Sequence, residues 1–214
     1  MNKMISKKSA PKQKRLIVNA DDFGMTRGIS RGIIEAHVHG IVTSTSLMVT
    51  EPSSLYAAEL AKAHPDLSVG LHGVLRHPAA MTAHMGQEFI NSLEIQLATF
   101  IQIMGKQPTH FDTHAVPAPT PVSAFAAIAF AKKHKLPFRG TQKNIHRFYG
   151  MKGTVPLPGN ISIEALSKTL RVLPYGDNLL ICHPGRTSAR LKDPYRLQRI
   201  AEIHTLTSPA IHSL

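Results

Sequence analysis

The stretch that decides the fold is Leu16-Ile-Val-Asn-Ala-Asp-Asp-Phe-Gly24, an apolar run that ends in two adjacent carboxylates. Residues 16–20 form a short, largely apolar run, which is typical of a strand inside a parallel sheet. Thr26 then fits the N-cap of a helix over residues 27–39, and Gly40 fits its C-terminal stop. The chain therefore opens with a strand–helix unit that carries acidic side chains at the carboxyl end of its strand.

The same alternation of strand and helix continues along the chain. Further strands are predicted at residues 41–50, 67–72, 109–112, 136–140 and 178–182. Helices are predicted at about residues 54–64, 87–104, 122–135, 161–173 and 194–206, a short turn or helix at 208–214, and a loop at 141–160. Short connections between such units favour a parallel sheet with right-handed crossovers. We therefore predict an α/β fold, a distorted (β/α) barrel with a mostly parallel sheet.

One folded domain over residues 15–214 is expected, preceded by a flexible basic tail over residues 1–14. The chain is 43% hydrophobic, which is enough for a sizeable core. The single cysteine, Cys182, excludes an internal disulfide and fits a reducing compartment. The tail lacks the apolar segment of a signal peptide, and no apolar run is long enough to span a membrane. These features predict a cytoplasmic protein without a membrane partner.

The formal net charge is +12, and six of the 25 basic residues lie at the N-terminus. They are Lys3, Lys7, Lys8, Lys12, Lys14 and Arg15. A basic surface can attract nucleic acid or an anionic substrate, whereas a solvated basic tail needs neither. We favour the solvated tail, because no zinc-knuckle, RNA-recognition or helix-turn-helix pattern accompanies the charge. A homodimer is common among barrel enzymes of this size, but no segment of the sequence indicates an interface.

Side chains suited to metal binding or acid–base chemistry follow four of the predicted strands. They are Asp21 and Asp22 after the first, His72 at the end of the third, Asp112 and His114 at the end of the fourth, and His183 after the last. Active sites of parallel α/β folds lie at this end of the strands. Each residue alone has an ordinary alternative, as a turn residue or a satisfied core histidine. Two adjacent buried carboxylates, however, repel each other unless a cation compensates them.

These residue types predict a divalent-metal site that activates water for hydrolysis. Two histidines, His72 and His114, and one carboxylate of the Asp21–Asp22 pair leave metal positions open for water and substrate. Imidazole ligands favour zinc or another first-row cation over magnesium, which prefers oxygen. The second carboxylate could take a proton from the water, and His183 could protonate a leaving amine. His110 lies deeper in its strand, so we predict a structural role for it.

Five ordered motifs resemble those of the YdjC-like carbohydrate deacetylases. They are Val18-Asn-Ala-Asp-Asp-Phe-Gly24, Ile41-Val-Thr-Ser-Thr-Ser46, Gly70-Leu-His72, Pro108-Thr-His-Phe-Asp-Thr-His114 and Cys182-His-Pro-Gly185. A closing run with Tyr195, Arg199 and Glu202 extends the resemblance to about residue 208. The Asn-Ala-Asp-Asp-Phe-Gly string is the most specific part, and the whole set covers residues 15–208.

The resemblance implies a barrel similar to that of polysaccharide deacetylases. It implies Asp21 as the general base, His183 as the acid, and Asp22, His72 and His114 as ligands of magnesium or zinc. The implied reaction removes the N-acetyl group of an amino sugar, such as a chitooligosaccharide, and releases acetate. The metal would stabilise the oxyanion of the tetrahedral intermediate. A small-molecule carbohydrate is the implied partner.

The chain departs from the family pattern in the segments expected to surround the substrate. Residues 115–121 hold three prolines and no histidine, the loop after Gly73 is short, and Arg186 replaces an apolar residue. Two alternatives therefore stay open. One is deacetylation of another acylated amine, such as a lipid-linked sugar, whose anionic group Arg186 could meet. The other is a degenerate protein that binds carbohydrate without catalysis.

Overall fold

The computed structural model describes residues 13–75, 85–114 and 120–214. The strands within these ranges are β1 (Lys14–Phe23), β2 (Ser44–Leu47), β3 (Ser68–Val74), β4 (Phe111–His114), β5 (Ile145–Arg147), β6 (Met151–Lys152), β7 (Val155–Pro156) and β8 (Gly176–Cys182). The α-helices are α1 (Arg27–Val38), α2 (Ser54–Lys62), α3 (Met85–Met104), α4 (Pro121–His134), α5 (Ile163–Arg171), α6 (Arg196–Leu206) and α7 (Pro209–His212). Short 3₁₀ turns cover Arg139–Thr141 and Pro158–Ile161.

Six strands form one parallel sheet in the order β4-β3-β2-β1-β8-β5, and β6 and β7 form a separate antiparallel hairpin. The sheet curls into an incomplete barrel with helices packed against it, which confirms the predicted fold class. β1 lies between β2 and β8, and its apolar residues Val18, Ala20 and Phe23 are buried. Because the six strands run in the same direction, their carboxyl ends meet at one edge of the sheet.

The strand predicted at residues 136–140 is wrong. Phe138 forms only one isolated bridge, to Phe111 of β4, and Arg139 begins a 3₁₀ turn. Pro137 has no N–H to donate to a ladder, although its carbonyl accepts a hydrogen bond from Phe111 N–H (2.9 Å). The fifth strand of the sheet is instead β5, inside the segment that was predicted to be a loop. β5 is short and carries a polar side chain and a charged one, so its pairing with β8 is invisible in the hydrophobic pattern.

A β-bulge interrupts β1 at Asp21 and Asp22. Ala20 pairs with Thr45 and Phe23 pairs with Leu47, so β1 has one extra residue in this interval. Asp22 absorbs that residue with φ of 70°, a left-handed conformation that costs most side chains about 1–2 kcal/mol and that Asp tolerates. A regular strand would point neighbouring side chains to opposite faces. The bulge changes this alternation at the carboxyl edge of the sheet, where Asp21 and Asp22 lie.

Helix α1 packs closely against the segment that follows β8. Thr26 caps the helix, as predicted, by accepting a hydrogen bond from Ile29 N–H (3.1 Å). Gly28 and Gly32 lie one turn apart on the same face, and the Gly28 carbonyl accepts the N–H of Arg186 (3.1 Å). A Cβ on Gly32 would lie 2.5 Å from Arg186 N and 2.6 Å from Gly185 Cα. Only glycine permits this approach, which sets the position of the chain just after His183.

The N-terminal tail predicted over residues 1–14 falls mostly outside the described residues. Its last residue, Lys14, begins β1 and pairs with Gly176 of β8. Within the described ranges, none of the helices combines the length and the apolar character that a membrane-spanning helix requires.

We predict that Gly32→Ala destabilises the protein by about 1–3 kcal/mol, the usual cost of overpacking, because the new methyl group meets backbone that cannot rotate away. Urea denaturation monitored by circular dichroism measures the loss. Gly159→Ala is the matched control, since no atom lies within 4 Å of a Cβ at that position. Equal stability of the Gly32→Ala variant and the wild type would contradict the close packing of α1.

Candidate metal centre

Asp22, His72 and His114 converge at the carboxyl edge of the sheet. The Oδ1 atom of Asp22 lies 3.4 Å from His72 Nε2 and 3.1 Å from His114 Nδ1. The three potential ligand atoms lie within 4.8 Å of one another. Asp22 and His72 are buried, and His114 is partly exposed. The structure therefore brings together the three residues that the sequence indicated as metal ligands.

Asp112 fixes the orientation of His72. The two residues are register partners on β4 and β3, and His72 Nδ1 lies 2.5 Å from Asp112 Oδ1. A proton on Nδ1 leaves the Nε2 lone pair directed at Asp22. Burial alone would lower the pKa of His72, but Asp112, with contributions from Asp22 and Asp21, raises it to about 10. This position therefore strongly favours a positive charge, which a proton or a metal ion can supply.

Arg199 of α6 holds the other oxygen of Asp22. Its Nη2 donates to Asp22 Oδ2 (2.6 Å), and its Nε donates to Asp193 Oδ2 (2.6 Å). Burial favours the neutral form of Asp22, but Arg199, together with His114 and His72, keeps its pKa well below the ordinary value. Asp22 is therefore ionised, with one oxygen anchored by Arg199 and the other directed at the histidines.

Asp21 is held in a different way on the opposite side of the bulge. Asn19 Nδ2 donates to its Oδ1 (2.9 Å), and Arg139 Nη1 donates to its Oδ2 (2.7 Å). Arg139 also pairs with Asp112, so one guanidinium contacts two buried carboxylates. Asp21 Oδ2 lies 3.8 Å from His183 Nε2. Asp21 is thus placed beside the three-residue cluster and next to His183, without belonging to the cluster.

His183 follows β8 and lies among aromatic side chains. Its ring meets those of Tyr149 and Tyr195 at centroid distances of 5.3 and 5.7 Å, both edge-to-face. Its backbone N–H donates to Glu202 Oε2 (2.5 Å), which fixes the main chain at this point. Burial lowers the pKa of His183 below its ordinary value, although Asp21 and Asp22 oppose the shift. A lowered pKa favours the neutral form of the ring near neutral pH.

The donor set fits a divalent cation. One carboxylate oxygen and two imidazole nitrogens converge, and His72 and Asp22 are each fixed from behind by a charged partner. A carboxylate behind the ring, as Asp112 is behind His72, commonly orients a metal-binding histidine. Two histidines and one carboxylate also leave coordination positions for water and substrate.

Sequence reasoning missed the two arginines and gave Asp112 no role. Arg139 lies in the segment predicted as a strand, where a charged side chain has no evident partner. Arg199 appeared only as part of the closing run that carried the family resemblance. The number of carboxylates was the signal that could have indicated these arginines. Three carboxylates at the ends of predicted strands require positively charged partners when they are buried. His110, predicted to be structural, lies outside the cluster, where its Nε2 is 3.3 Å from Ser46 Oγ.

Arg186 does not face a free anionic site. Its guanidinium makes two hydrogen bonds to the carboxylate of Glu35 on α1, at 2.6 and 2.7 Å. This pairing removes the reason to assign Arg186 to an anionic substrate group. The short loop after Gly73 falls largely on residues 76–84, and the proline-containing segment after His114 falls largely on residues 115–119. Both ranges lie outside the described residues.

The model of the YdjC-like protein family matches residues 15–214. The chain belongs to the YdjC-like family. A chitooligosaccharide deacetylase from Serratia marcescens is 32% identical to this YdjC-like protein, and the alignment covers 93% of each chain. A crystal structure from Enterococcus faecalis, provisionally described as a cellobiose-phosphate cleavage protein, is similar with a TM-score of 0.79 and 27% identity, covering 94% of this chain and 93% of the other.

More distant structures share the fold of this YdjC-like protein. A polysaccharide deacetylase from Bacillus cereus aligns over 94% of this chain and 86% of its own, with a TM-score of 0.53 and 12% identity. At this identity the likeness concerns the fold alone. It confirms that the incomplete barrel is similar to that of polysaccharide deacetylases.

We predict that Asp112→Asn lowers the affinity of this YdjC-like protein for Zn²⁺ or Co²⁺ by about 10–100-fold, because His72 loses the carboxylate that orients it. Isothermal titration calorimetry on the metal-free protein measures the affinity. Asp177→Asn is the matched control, because Asp177 lies on the same sheet but is exposed and pairs with Arg15. If Asp112→Asn binds metal like the wild type, Asp112 does not support the site.

Proposed function

We propose that this YdjC-like protein is a metal-dependent carbohydrate deacetylase that hydrolyses the N-acetyl group of an amino sugar and releases acetate. The observation that carries the proposal is the convergence of Asp22, His72 and His114 beside the separately held carboxylate of Asp21. The named activity of the Serratia marcescens relative supports a chitooligosaccharide or a related N-acetylated carbohydrate as the substrate.

Asp22, His72 and His114 would hold a divalent cation, magnesium or zinc. Such an ion lowers the pKa of a bound water and polarises the substrate carbonyl. Asp21 would act as the general base and accept the proton of the attacking water. Its hydrogen bonds from Arg139 and Asn19 fix the carboxylate at the edge of the cluster. Asp21 and Asp22 are consecutive residues of β1, so one strand would position both the base and the ligand.

His183 would act as the general acid toward the leaving nitrogen of the reacting amide. When the C–N bond breaks, the leaving nitrogen takes a proton from the imidazolium, and the acyl group leaves as acetate. The 3.8 Å separation of His183 Nε2 and Asp21 Oδ2 puts acid and base on the same side of the candidate cluster. The proton that Asp21 removes from water can then return to His183 for the next turnover.

The other functions predicted from the sequence have less support. A degenerate binding protein has no need to retain three convergent ligands together with Asp112 and Arg199, which orient two of them. A lipid-linked substrate loses its main argument, because Arg186 is paired with Glu35. Cytoplasmic location and a homodimer stay predictions from the sequence.

Acetate release from N,N′-diacetylchitobiose and other N-acetyl sugars, measured with Zn²⁺, Mg²⁺ or Co²⁺, tests the proposed function. We expect Asp21→Asn to lower kcat by about 10²–10⁴-fold, the usual contribution of a general base, with metal still bound. Asp66→Asn is the matched control, because Asp66 is exposed in the turn before β3. Metal-loaded wild type that releases no acetate from any N-acetyl sugar would sink the proposal.

We predict that His183→Gln slows amide hydrolysis by about 10²–10⁴-fold but slows hydrolysis of 4-nitrophenyl acetate far less. An amine leaves only when protonated, whereas 4-nitrophenolate needs no proton. Comparing the two substrates with the wild type and the variant measures the difference. His204→Gln on the exposed part of α6 is the control. An equal loss on both substrates would assign His183 a role other than that of the acid.

A further inference from the structure

Tyr149 lies at the carboxyl edge of the sheet, beside the proposed acid. It lies two residues after the end of β5. The residue between them, Phe148, donates its N–H to the carbonyl of Ile181 on β8 (2.9 Å). This pairing places Tyr149 next to the end of β8, where His183 begins the following loop. The Tyr149 and His183 rings lie 5.3 Å apart, with an angle of 64° between their planes. The proposed reaction assigns no role to Tyr149.

The ring of Tyr149 is partly exposed yet held in place. Its side chain is 39% exposed, and its ring is parallel to that of Tyr195 within 5° at a centroid distance of 4.4 Å. Tyr195 is itself buried and fixed at its hydroxyl, which accepts the N–H of Gly150 (2.6 Å) and donates to Glu202. Tyr149 is thus an aromatic surface supported from below by a rigid second ring.

The chemistry of the substrate matches such a surface. A pyranose ring presents a face of C–H groups with hydroxyls at its rim, and an aromatic ring offers an apolar area of similar size. Ligand sites combine apolar or aromatic walls with a few polar groups that fix the orientation of the ligand. In the proposed reaction His183 protonates the leaving nitrogen, so the sugar ring bonded to that nitrogen must lie next to His183. Tyr149 is the partly exposed aromatic ring in contact with His183.

We propose that Tyr149 is the stacking platform for the pyranose ring that carries the reacting N-acetyl group. This inference rests on the proposed function. Stacking on a ring held by Tyr195 positions the C–N bond beside His183 and Asp21 without touching the atoms that react. Because the contact is present in both ground state and transition state, its loss should appear mainly in KM.

The test compares Tyr149→Ala, Tyr149→Leu and Tyr149→Phe in the metal-loaded full chain. Alanine and leucine should each raise KM for N,N′-diacetylchitobiose about tenfold and change kcat less than threefold, because an aliphatic side chain lacks the flat aromatic face. Phenylalanine keeps the face and should lie nearer to the wild type. Tyr175→Ala is the control, since Tyr175 is exposed and lies at the opposite end of β8. Near-ultraviolet circular dichroism checks the folding of each variant.

A second measurement separates binding from turnover. Calorimetric titration of N,N′-diacetylchitobiose into Asp21→Asn, and into Asp21→Asn combined with Tyr149→Leu, should show an approximately tenfold weaker Kd for the double variant. Hydrolysis of 4-nitrophenyl acetate, which has no sugar ring, should change less than threefold in Tyr149→Leu. An active wild type with Tyr149→Leu at unchanged KM and Kd overturns this inference alone. A wild type that neither binds nor hydrolyses any N-acetyl sugar overturns the proposed function and this inference together.

Discussion

The pairing of buried carboxylates with arginines is the interaction on which the rest of the site depends. Asp21, Asp22 and Asp112 are all buried at one edge of the sheet. An unpaired ion at such depth costs several kcal/mol, and removal of one partner from a buried pair is strongly destabilising. Arg139 and Arg199 supply two of the compensating positive charges from segments far apart in sequence. Charge balance therefore ties the 3₁₀ turn after α4 and helix α6 to the strands that carry the candidate ligands.

This arrangement also separates the two adjacent carboxylates into different environments. Asp22 takes its arginine from α6 and faces two imidazoles, whereas Asp21 takes its arginine from the 3₁₀ turn and faces His183. The bulge in β1 makes the separation possible, because a regular strand would direct one of the two side chains away from the edge. The left-handed conformation of Asp22 lies within the bulge, and backbone strain of this kind is frequent at functional sites.

Much of the fold could be predicted from the sequence, because the central strands are short apolar or β-branched runs. Ionisable side chains come directly at or after their ends. The three convergent residues could be predicted for the same reason. Arg139 could not, since β5 has no apolar pattern and the strand was placed too early, which hid the turn that carries the arginine. The bulge was also invisible, because it depends on the register of β1 against β2. The assignment of base and ligand came only from the family resemblance.

The pairing of β1 with β8 has a consequence for how the molecule is made. Asn19 and Cys182, in contact across these strands, are 163 residues apart in the chain. Contacts between such distant segments form slowly, because closing the long intervening loop costs conformational entropy before the contacts can stabilise the fold. During synthesis β1 and its neighbour β2 leave the ribosome well before β8, and β1 keeps one edge open until β8 arrives. An open apolar edge is a template for pairing with other chains, so nascent protein is exposed to aggregation and to chaperones during this interval.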